Sequence, residues 1–395
     1  MRSFLLFFLI LLLNKNNLSG QTNPADENRS GNLFLDLKSI SFVRNKEYSN
    51  PVPKGLIFLG YMYKPYQLIF YPGLGYFNPN IEGYTLLGNF IQPAILYYPY
   101  SKLSIRFGAH ILNYSGTGKF SQIKPVISTT LNFSENTSLT LGSLEGSEKH
   151  RLFDPVFDFE RIYSNNSENG LELLTENKHF FSDTWLDWEN FIFRADTVRE
   201  VLTFGESFKF TTNKIHNLFD LSIPIQFLIK HKGGQISNYP EHLETYINLA
   251  AGMSISFDIN DGNYGKLGFD YIHFFYYDNS PEQALSFKQG YANWYRLHYN
   301  YKIGWLEVAY WKSHDFYAPN GNLIYSSISG FLDKTILPDR SLLNTSLYLT
   351  AYPAKNFELF LGLDFYYDLD FKILYSAAAL HLNFKEIIKL ITLKK

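Results

Sequence analysis

The residues best suited to chemistry are concentrated between Glu145 and Glu200, where the chain carries its highest density of charge. Segment 145–169 mixes these charges with an apolar run, so it predicts either a solvated outer loop or a loop that packs inside the fold. In the second case, its arginines would face its acids and set a local field that selects small molecules by charge and width. The candidates for this constriction are Arg151, Asp154, Asp158, Glu160 and Arg161.

A second group lies in the stretch Thr184–Asn190, which reads TWLDWEN. An indole face can stack on a sugar ring while neighbouring carboxylates accept hydrogen bonds from its hydroxyls. The alternative is an interfacial aromatic residue beside interior charges. The candidates for sugar contact are Trp185, Asp187, Trp188 and Glu189.

The composition limits the chemistry that is available. The chain has 395 residues, a formal net charge of −2 and no cysteine, so disulfides, thiolate metal sites and a cysteine nucleophile are excluded. The near-neutral charge gives no support to a nucleic-acid partner. Aromatic residues make up 18% of the chain, which is well above ordinary globular usage.

The N-terminus predicts a cleaved secretory signal peptide over residues 1–20, followed by a periplasmic segment, 21–32. Arg2 precedes an apolar run from Phe4 to Leu13, and polar residues follow up to Gln21. A run of this length is too short to span a bilayer as a helix, and no apolar run of 18 or more residues follows. We therefore expect an exported protein without helical membrane spans.

Strict alternation of apolar and polar residues is clearest between residues 215 and 277. Leu243–Ile259 places leucine, isoleucine, methionine and phenylalanine on one parity and mainly polar residues on the other. Side chains alternate between the two faces of a strand, so each such segment has one apolar face and one polar face. This segment is also longer than the five or six residues usual in soluble sheets. Long strands that are apolar outside and polar inside are typical of a transmembrane β-barrel.

The connections between these strands alternate between short turns and long loops, as they do in bacterial barrels with periplasmic turns and extracellular loops. We therefore predict an all-β, antiparallel up-and-down barrel over residues 33–384, with about 18 strands and 16 as the alternative count. Residues 385–395 are expected to form a C-terminal periplasmic tail. Both ends of the barrel then lie on the periplasmic side.

The inward parity carries polar residues of both signs, which suits contact with water in a barrel wide enough to leave a channel. Neither sign dominates, so strong selection of anions or cations is not indicated. The candidate pore-lining residues are Arg106, His110, Lys230, Glu244, Asp270, Arg296, His298, Glu307, Glu358 and Asp364.

The segment Leu380–Phe384 (LHLNF) resembles the C-terminal strand of Gram-negative outer-membrane proteins, which ends in an aromatic residue recognised by the barrel-assembly machinery. The residues before it at the same parity are Leu374, Ser376 and Ala378. The chain departs from this pattern because Lys385–Lys395 continues past Phe384. Together with Gln21 at the cleavage site, the mature chain resembles the porin-like barrels of Bacteroidetes-type bacteria. The resemblance implies a place in the cell outer membrane, among its lipids.

Some outer-membrane barrels are lipid hydrolases with a serine–histidine pair at the barrel wall. His273 is the best candidate here, because it shares the lipid-facing parity with Tyr271 and Phe275. No G-x-S-x-G elbow supplies a nucleophile, and two acids on one strand do not bracket a glycosidic bond. No H-E-x-x-H motif or glycine-rich phosphate loop occurs. We therefore expect no metal, no cofactor and no enzymatic activity.

Three functions remain in order of preference. The first is diffusion of small polar solutes, including saccharides, through an open lumen. The second is a closed barrel whose outer loops bind or assemble a surface polysaccharide. The third is a lipid-modifying enzyme of the outer membrane.

Overall fold

The computed structural model describes residues 30–47, 83–194, 196–212, 214–215, 218–234, 242–259, 264–329 and 336–392. The predicted signal peptide lies outside these residues, as do two predicted strands, 55–64 and 67–77. The described chain forms sixteen strands: β1 Asn32–Glu47, β2 Tyr84–Tyr100, β3 Leu103–Tyr114, β4 Gln122–Asn132, β5 Thr137–Ser143, β6 Asn169–Glu176, β7 Phe180–Asn190, β8 Val201–Thr211, β9 Phe219–Lys232, β10 Glu244–Asp258, β11 Lys266–Asp278, β12 Gln289–Tyr301, β13 Gly304–His314, β14 Asp339–Ala354, β15 Phe357–Asp368 and β16 Ile373–Thr392.

These strands form a closed antiparallel barrel in which each strand pairs with its neighbours in sequence. The barrel closes where β1 pairs with β16 on one side and with β2 on the other. The all-β barrel is therefore confirmed, with the lower of the two strand counts that the sequence allows. Because the barrel is closed, no strand is left with an edge of unpaired backbone N–H and C=O groups, which is a requirement inside a bilayer.

The last strand is longer than the sequence predicts. β16 runs to Thr392, and its residues beyond Phe384 pair with the first half of β1, from Asn32 to Lys38. Residues 385–392 therefore belong to the barrel wall and not to a periplasmic tail. The alternation of apolar and polar residues weakens after Phe384, which is why the pattern alone ends the strand too early.

The outer face of the barrel is apolar, as the alternation predicts. Phe107 and Ile123, for example, are 64% and 65% exposed in the isolated chain, and such residues recur on the outward parity of the other strands. The matching inward positions are buried. In a bilayer, the outward side chains contact lipid tails, so their exposure is what membrane insertion requires.

The two ends of the barrel differ in the length of their connections. One end has short connections, such as 101–102, 302–303 and 355–356, and the other has long ones, such as 144–168 and 315–338. Short turns are periplasmic in bacterial barrels, so the long loops lie at the outer end. The start of β1 and the end of β16 lie at the end of the barrel that has the short connections.

Five prolines lie within the described strands, where they cannot donate a ladder hydrogen bond. Pro99 and Pro353 stand one residue before the end of β2 and β14, at shifts in the register. The pairing of β2 with β3 is interrupted at Pro93, and that of β9 with β10 is interrupted at Pro224. The pairing of β4 with β5 runs from Asn132 back to Ser128, so it ends before it reaches Pro125. At Pro93, Pro125 and Pro224 the ladder opens locally without a shift in the register.

Helical structure in the described residues is limited to the short helix α1 (Arg161–Ser164) and two 3₁₀ turns, Ser147–His150 and Leu323–Tyr325. Across the residues that the structure describes, we find no helix with the length and apolar character needed to cross a membrane. All three short helical segments lie in the loops 144–168 and 315–338, which fold into the barrel.

Candidate functional site

The lumen of the barrel is filled by two loops from its outer end. We call 144–168 the inner loop and the described parts of 315–338 the second loop, and together they form the plug. Phe157 of the inner loop and Phe316 and Tyr325 of the second loop belong to one buried cluster with wall residues such as Trp294 and Trp311. Segment 145–169 therefore packs inside the barrel, which decides between the two predictions made for it.

The inner loop is fastened to β1 by buried charges. Glu160 forms an ion pair with Lys46 and lies 3.9 Å from Arg44. Arg44 in turn lies 3.2 Å from Asp364 on β15. These four side chains are almost completely buried. Removing one member of such a network leaves its partner charged and unpaired, so the contacts hold the loop strongly in place.

The same loop also reaches the opposite wall. The backbone N–H of Phe153 donates to Gln226 Oε1 on β9 at 2.8 Å, and Gln226 Nε2 donates to the Arg151 carbonyl at 3.0 Å. Arg296 of β12 lies 5.3 Å from the centroid of the Phe153 ring. On the far side, the Tyr163 hydroxyl lies 2.8 Å from His381 Nδ1 on β16. The inner loop therefore crosses the lumen from wall to wall.

The two loops of the plug are joined through Asp154. Its Oδ2 accepts a hydrogen bond from Asn322 Nδ2 at 2.8 Å, and its Oδ1 accepts one from the Phe159 N–H at 3.0 Å. Burial, together with the nearby charge of Asp158, raises the pKa of Asp154 to about 7. The junction therefore contains a carboxyl group that titrates near neutral pH.

A buried histidine fastens the inner loop to β7. His150 Nδ1 lies 2.8 Å from Asp183 Oδ2, its Nε2 lies 2.6 Å from Glu168 Oε2, and its ring stacks on Trp185 at 3.7 Å. Burial alone would lower the pKa of His150, but the two carboxylates outweigh it and raise the pKa to about 10. His150, Glu172 and Asp183 are close enough to form a metal-ligand set. An imidazolium that donates from both nitrogens has no lone pair for a metal, so we interpret the group as an ion-pair anchor.

All ten predicted pore-lining residues point into the barrel, but most contact protein groups rather than open water. Arg296 bridges Asp270 at 2.6 Å and Glu307 at 3.4 Å, and His298 stacks on Trp305. Further pairs join Lys230 to Glu189, Glu244 to Arg199, Arg106 to Asp36, Asp364 to Arg44 and Glu358 to Asn383, and His110 packs on Phe90. The predicted water-lined channel is therefore replaced, in the described structure, by a charge-paired interior.

The constriction candidates are divided among separate contacts. Asp154, Asp158 and Glu160 face the second loop and β1, whereas Arg161 lies 3.8 Å from Glu189 on β7. Arg151 forms a two-hydrogen-bond pair with Glu176, in which both side chains are about half exposed. The expected face-to-face field of arginines and acids does not form, because these groups are held by separate partners in the wall and in the second loop.

The predicted sugar-contact stretch does not converge on one ligand. Trp185, Asp187 and Glu189 point inward on β7, whereas Trp188 points outward and is 40% exposed. Trp185 is fully buried against His150, so its face is not free to stack on a sugar. The prediction of a joint sugar site here is wrong, because adjacent strand residues face opposite sides of the wall.

The outer wall carries a polar row that sequence analysis recognised only at His273. The register aligns His273 of β11 with Asn293 of β12, then with Lys312 of β13 and Ser341 of β14. All four point outward, two to five residues from the outer ends of their strands. Polar residues are unexpected on a lipid-facing wall, so this row is a candidate functional site. Only pairing between strands reveals it, because each strand contributes a single member.

The hydrogen bonds of this row define the state of His273. Asn293 Oδ1 accepts from the Tyr271 hydroxyl at 2.9 Å and lies 3.0 Å from His273 Nδ1. Since the amide oxygen only accepts, Nδ1 carries a proton, and the neutral form of the ring then has its lone pair on Nε2. His273 is exposed and stacks beside Tyr291. This arrangement presents an oriented base to the lipid-facing side of the barrel.

The closed barrel, its apolar outer face and its long outer loops define an outer-membrane β-barrel protein. Residues 66–393, most of the chain, match the family described as lipid A 3'-O-deacylase-type. The chain belongs to this family. Among curated proteins, none matches the chain.

Solved structures of similar shape are outer-membrane proteins of Gram-negative bacteria. OprD from Pseudomonas aeruginosa is 9% identical, with coverage of 92% of this chain and 97% of that chain and a TM-score of 0.49. OprB from Pseudomonas putida is 8% identical, with coverage of 90% and 94% and a TM-score of 0.49. A loop-deletion mutant of OmpT from Vibrio cholerae is 8% identical, with coverage of 90% and 99% and a TM-score of 0.48. Likenesses this distant carry no conclusion about function.

The family membership corrects one expectation. The sequence, which lacks a nucleophile motif, predicts a protein that is not an enzyme, but the matching family is named for a deacylase and points to an enzyme. The absence of a serine nucleophile motif near His273 does not exclude a hydrolase. Hydrolysis of an ester needs only a base that activates water, and a histidine held by Asn293 has the form of such a base.

Proposed function

We propose that the protein is an outer-membrane hydrolase that removes the 3'-O-acyl chain from lipid A. The observation that carries the proposal is the outward-facing trio of His273, Asn293 and Tyr271, in which Nε2 of the imidazole is directed away from its hydrogen-bonded partner. The family to which the chain belongs supports the choice of substrate. The outer half of the wall is also where a lipid of the outer leaflet would meet the protein.

The geometry supports hydrolysis by an activated water molecule. His273 Nε2 takes a proton from water as the water oxygen attacks the ester carbonyl carbon. The bond from that carbon to the sugar 3'-oxygen then breaks, and the sugar oxygen receives the proton from His273. The products are a free fatty acid and lipid A with a free 3'-hydroxyl. Asn293 acts as a positioning residue, because it holds the Nδ1 proton and therefore the tautomer.

Lys312 is placed to hold the substrate. Its side chain is exposed, lies next to Asn293 in the same row and makes no ion pair within the described residues. Lipid A carries phosphate groups on its sugars, and an ammonium group near the outer rim attracts them. The aromatic rings of Tyr291, Tyr295 and Tyr310 flank the row and suit the boundary between acyl chains and headgroups.

The test is a deacylation assay with purified, folded protein and lipid A in mixed micelles, read by mass spectrometry. Wild type is expected to release one acyl chain, and His273→Ala is expected to lower the rate at least a hundredfold. His231→Ala is the matched control, because His231 also lies on the outer wall, on β9, with Thr245 as its partner. Inactive wild type, or full activity in His273→Ala, would overturn the proposal.

A second candidate is a gated route for small polar solutes, including saccharides. It is supported by the cavity of about 730 Å³ between the plug and the periplasmic end of the barrel. This route requires the inner loop to leave the lumen. Both proposals include contacts with outer-membrane lipid and with the barrel-assembly machinery. That machinery would recognise Phe384 at an internal position of the last strand.

A further inference from the structure

A cavity of the described structure lies in the lumen, on the periplasmic side of the plug. Its volume is about 730 Å³, within the range of small-molecule binding sites. The inner loop forms its inner end with Phe159 and Ile162, and the β14–β15 turn lies at its mouth with Lys355 and Asn356. It is separate from the polar row, which lies on the outer wall.

The lining of the cavity carries more positive than negative charge. Three acids line it, Asp36, Glu145 and Glu358, and five cations face them: Lys38, Arg106, Lys149, Lys355 and Lys385. Arg106 is shared between Asp36 at 3.0 Å and Glu145 at 3.4 Å. Lys149, Lys355 and Lys385 form no ion pair with any described residue. A cavity with low-dielectric walls and unpaired cations concentrates anions.

The behaviour of Glu145 agrees with this charge balance. Desolvation would raise the pKa of its carboxyl, although the side chain is 45% exposed, but Lys385, Arg106, Lys149 and Lys38 outweigh that effect and lower the pKa to about 2. The residue lies at the start of the inner loop, between the large cavity and a second one of about 280 Å³.

One side of the cavity offers aromatic surface. Phe159 of the inner loop is 43% exposed, whereas the Phe360 ring beside it is covered by His381 at 4.4 Å and by Tyr348 at 5.7 Å. Aromatic faces bind the apolar face of a sugar ring, while cations across the cavity bind its acidic groups.

We propose that this cavity is a binding site for acidic saccharides, such as sugar phosphates or uronates, that enter from the periplasm. Lys149 and Lys385 bind the acidic group, and the exposed ring of Phe159 contacts the sugar ring. The site is independent of the proposed hydrolase activity on the outer wall.

The test is titration calorimetry of the full-length, detergent-solubilised protein with glucose 6-phosphate, galacturonate and neutral glucose. The acidic sugars are expected to bind and glucose is expected not to bind. The double variant Lys149→Gln/Lys385→Gln should weaken binding at least tenfold, and higher salt should weaken binding to wild type. Inorganic phosphate serves as a further ligand, and it should bind more weakly than glucose 6-phosphate if the aromatic side contributes.

Matched controls separate this proposal from the function proposed above. Lys312→Gln removes a cation from the outer wall and should leave sugar binding unchanged, while the cavity variant should leave deacylation unchanged. The proposal is overturned if acidic sugars do not bind at millimolar concentration, if glucose binds equally well, or if the double variant binds like wild type. Equal binding of inorganic phosphate would reduce the site to a simple anion site and overturn the saccharide assignment.

Discussion

Asn293 determines what His273 can do on the outer wall. Its Oδ1 lies 3.0 Å from His273 Nδ1 and also accepts from Tyr271, so the imidazole is fixed in tautomer and in orientation. Histidines that act as bases are usually held by such a partner. The pair is isolated from the buried charges of the lumen by the thickness of the barrel wall.

We expect Asn293→Leu to lower kcat for deacylation by about a hundredfold, because His273 loses the acceptor that fixes its tautomer. Asn293→Asp should keep substantial activity and shift the pH profile upward, because a carboxylate stabilises the imidazolium. The measurement is the pH dependence of kcat for the three proteins. An unshifted profile in Asn293→Asp would show that Asn293 has only a structural role.

A glycine makes room for the stacking of Trp185 on His150. A Cβ atom at Gly205 on β8 would lie 2.2 Å from the Trp185 ring, so Gly205→Ala must displace the indole. We expect a loss of about 1–3 kcal/mol in the free energy of unfolding and a change in tryptophan fluorescence. Gly118→Ala is the control, because nothing lies within 4 Å of its added Cβ. Similar stability of the two variants would contradict the packing described here.

At the scale of elements, the inner loop is held mainly by charges rather than by helix or strand. Glu160 lies between Lys46 and Arg44 of β1, with all three side chains nearly buried, whereas Arg151 and Glu176 form an exposed pair. Buried pairs are costly to break, and exposed pairs contribute little. The two kinds of contact occur in one loop, which allows a matched comparison.

Glu160→Gln is expected to lower the free energy of unfolding by about 3 kcal/mol, because two buried cations each lose one of their two carboxylate partners. Glu176→Gln should change it by less than about 1 kcal/mol. Both values come from urea titrations of protein refolded in lipid vesicles. If the two variants unfold alike, the loop is not anchored through Glu160.

The junction between the two loops should depend on pH. The pKa of Asp154 is raised to about 7 in the folded protein from a usual value of 3.8, so the folded state binds more protons than the unfolded state between these values. This contribution to the free energy of unfolding therefore falls as the pH rises from about 4 to 7. We expect Asp154→Asn to flatten that slope in urea titrations at several pH values. An identical slope in wild type and variant would exclude Asp154 as its source.

At the scale of the whole molecule, the barrel is wide enough for a channel, but the plug occupies its middle. Wild type in a planar bilayer is therefore expected to show little or no steady single-channel conductance. Deletion of Asp154–Arg161 removes the part of the inner loop that spans the lumen and should produce stable open events. The control is the variant Glu176→Gln, which leaves the plug in place. Large conductance in wild type would show that the plug leaves the lumen spontaneously.

Sequence alone determined the barrel, because the alternation of apolar and polar residues is a local property of each strand. Lipid outside and polar groups inside force that period, so the strands around Leu243–Ile259 and the outward parity of His273 follow from the pattern. The turn lengths also gave the orientation. The limits of the pattern appear at β16, where alternation fades and only pairing with β1 shows that the strand continues to Thr392.

Tertiary structure alone decided what the polar residues do. The contacts of His150 with Asp183, of Glu160 with Lys46, and of Tyr163 with His381 join residues that are far apart in sequence, so no local period encodes them. The outward row from His273 to Ser341 depends in the same way on the register of four strands. Sequence parity tells which side of the wall a residue faces. The partner it meets there is set by how the loops pack and how the strands align.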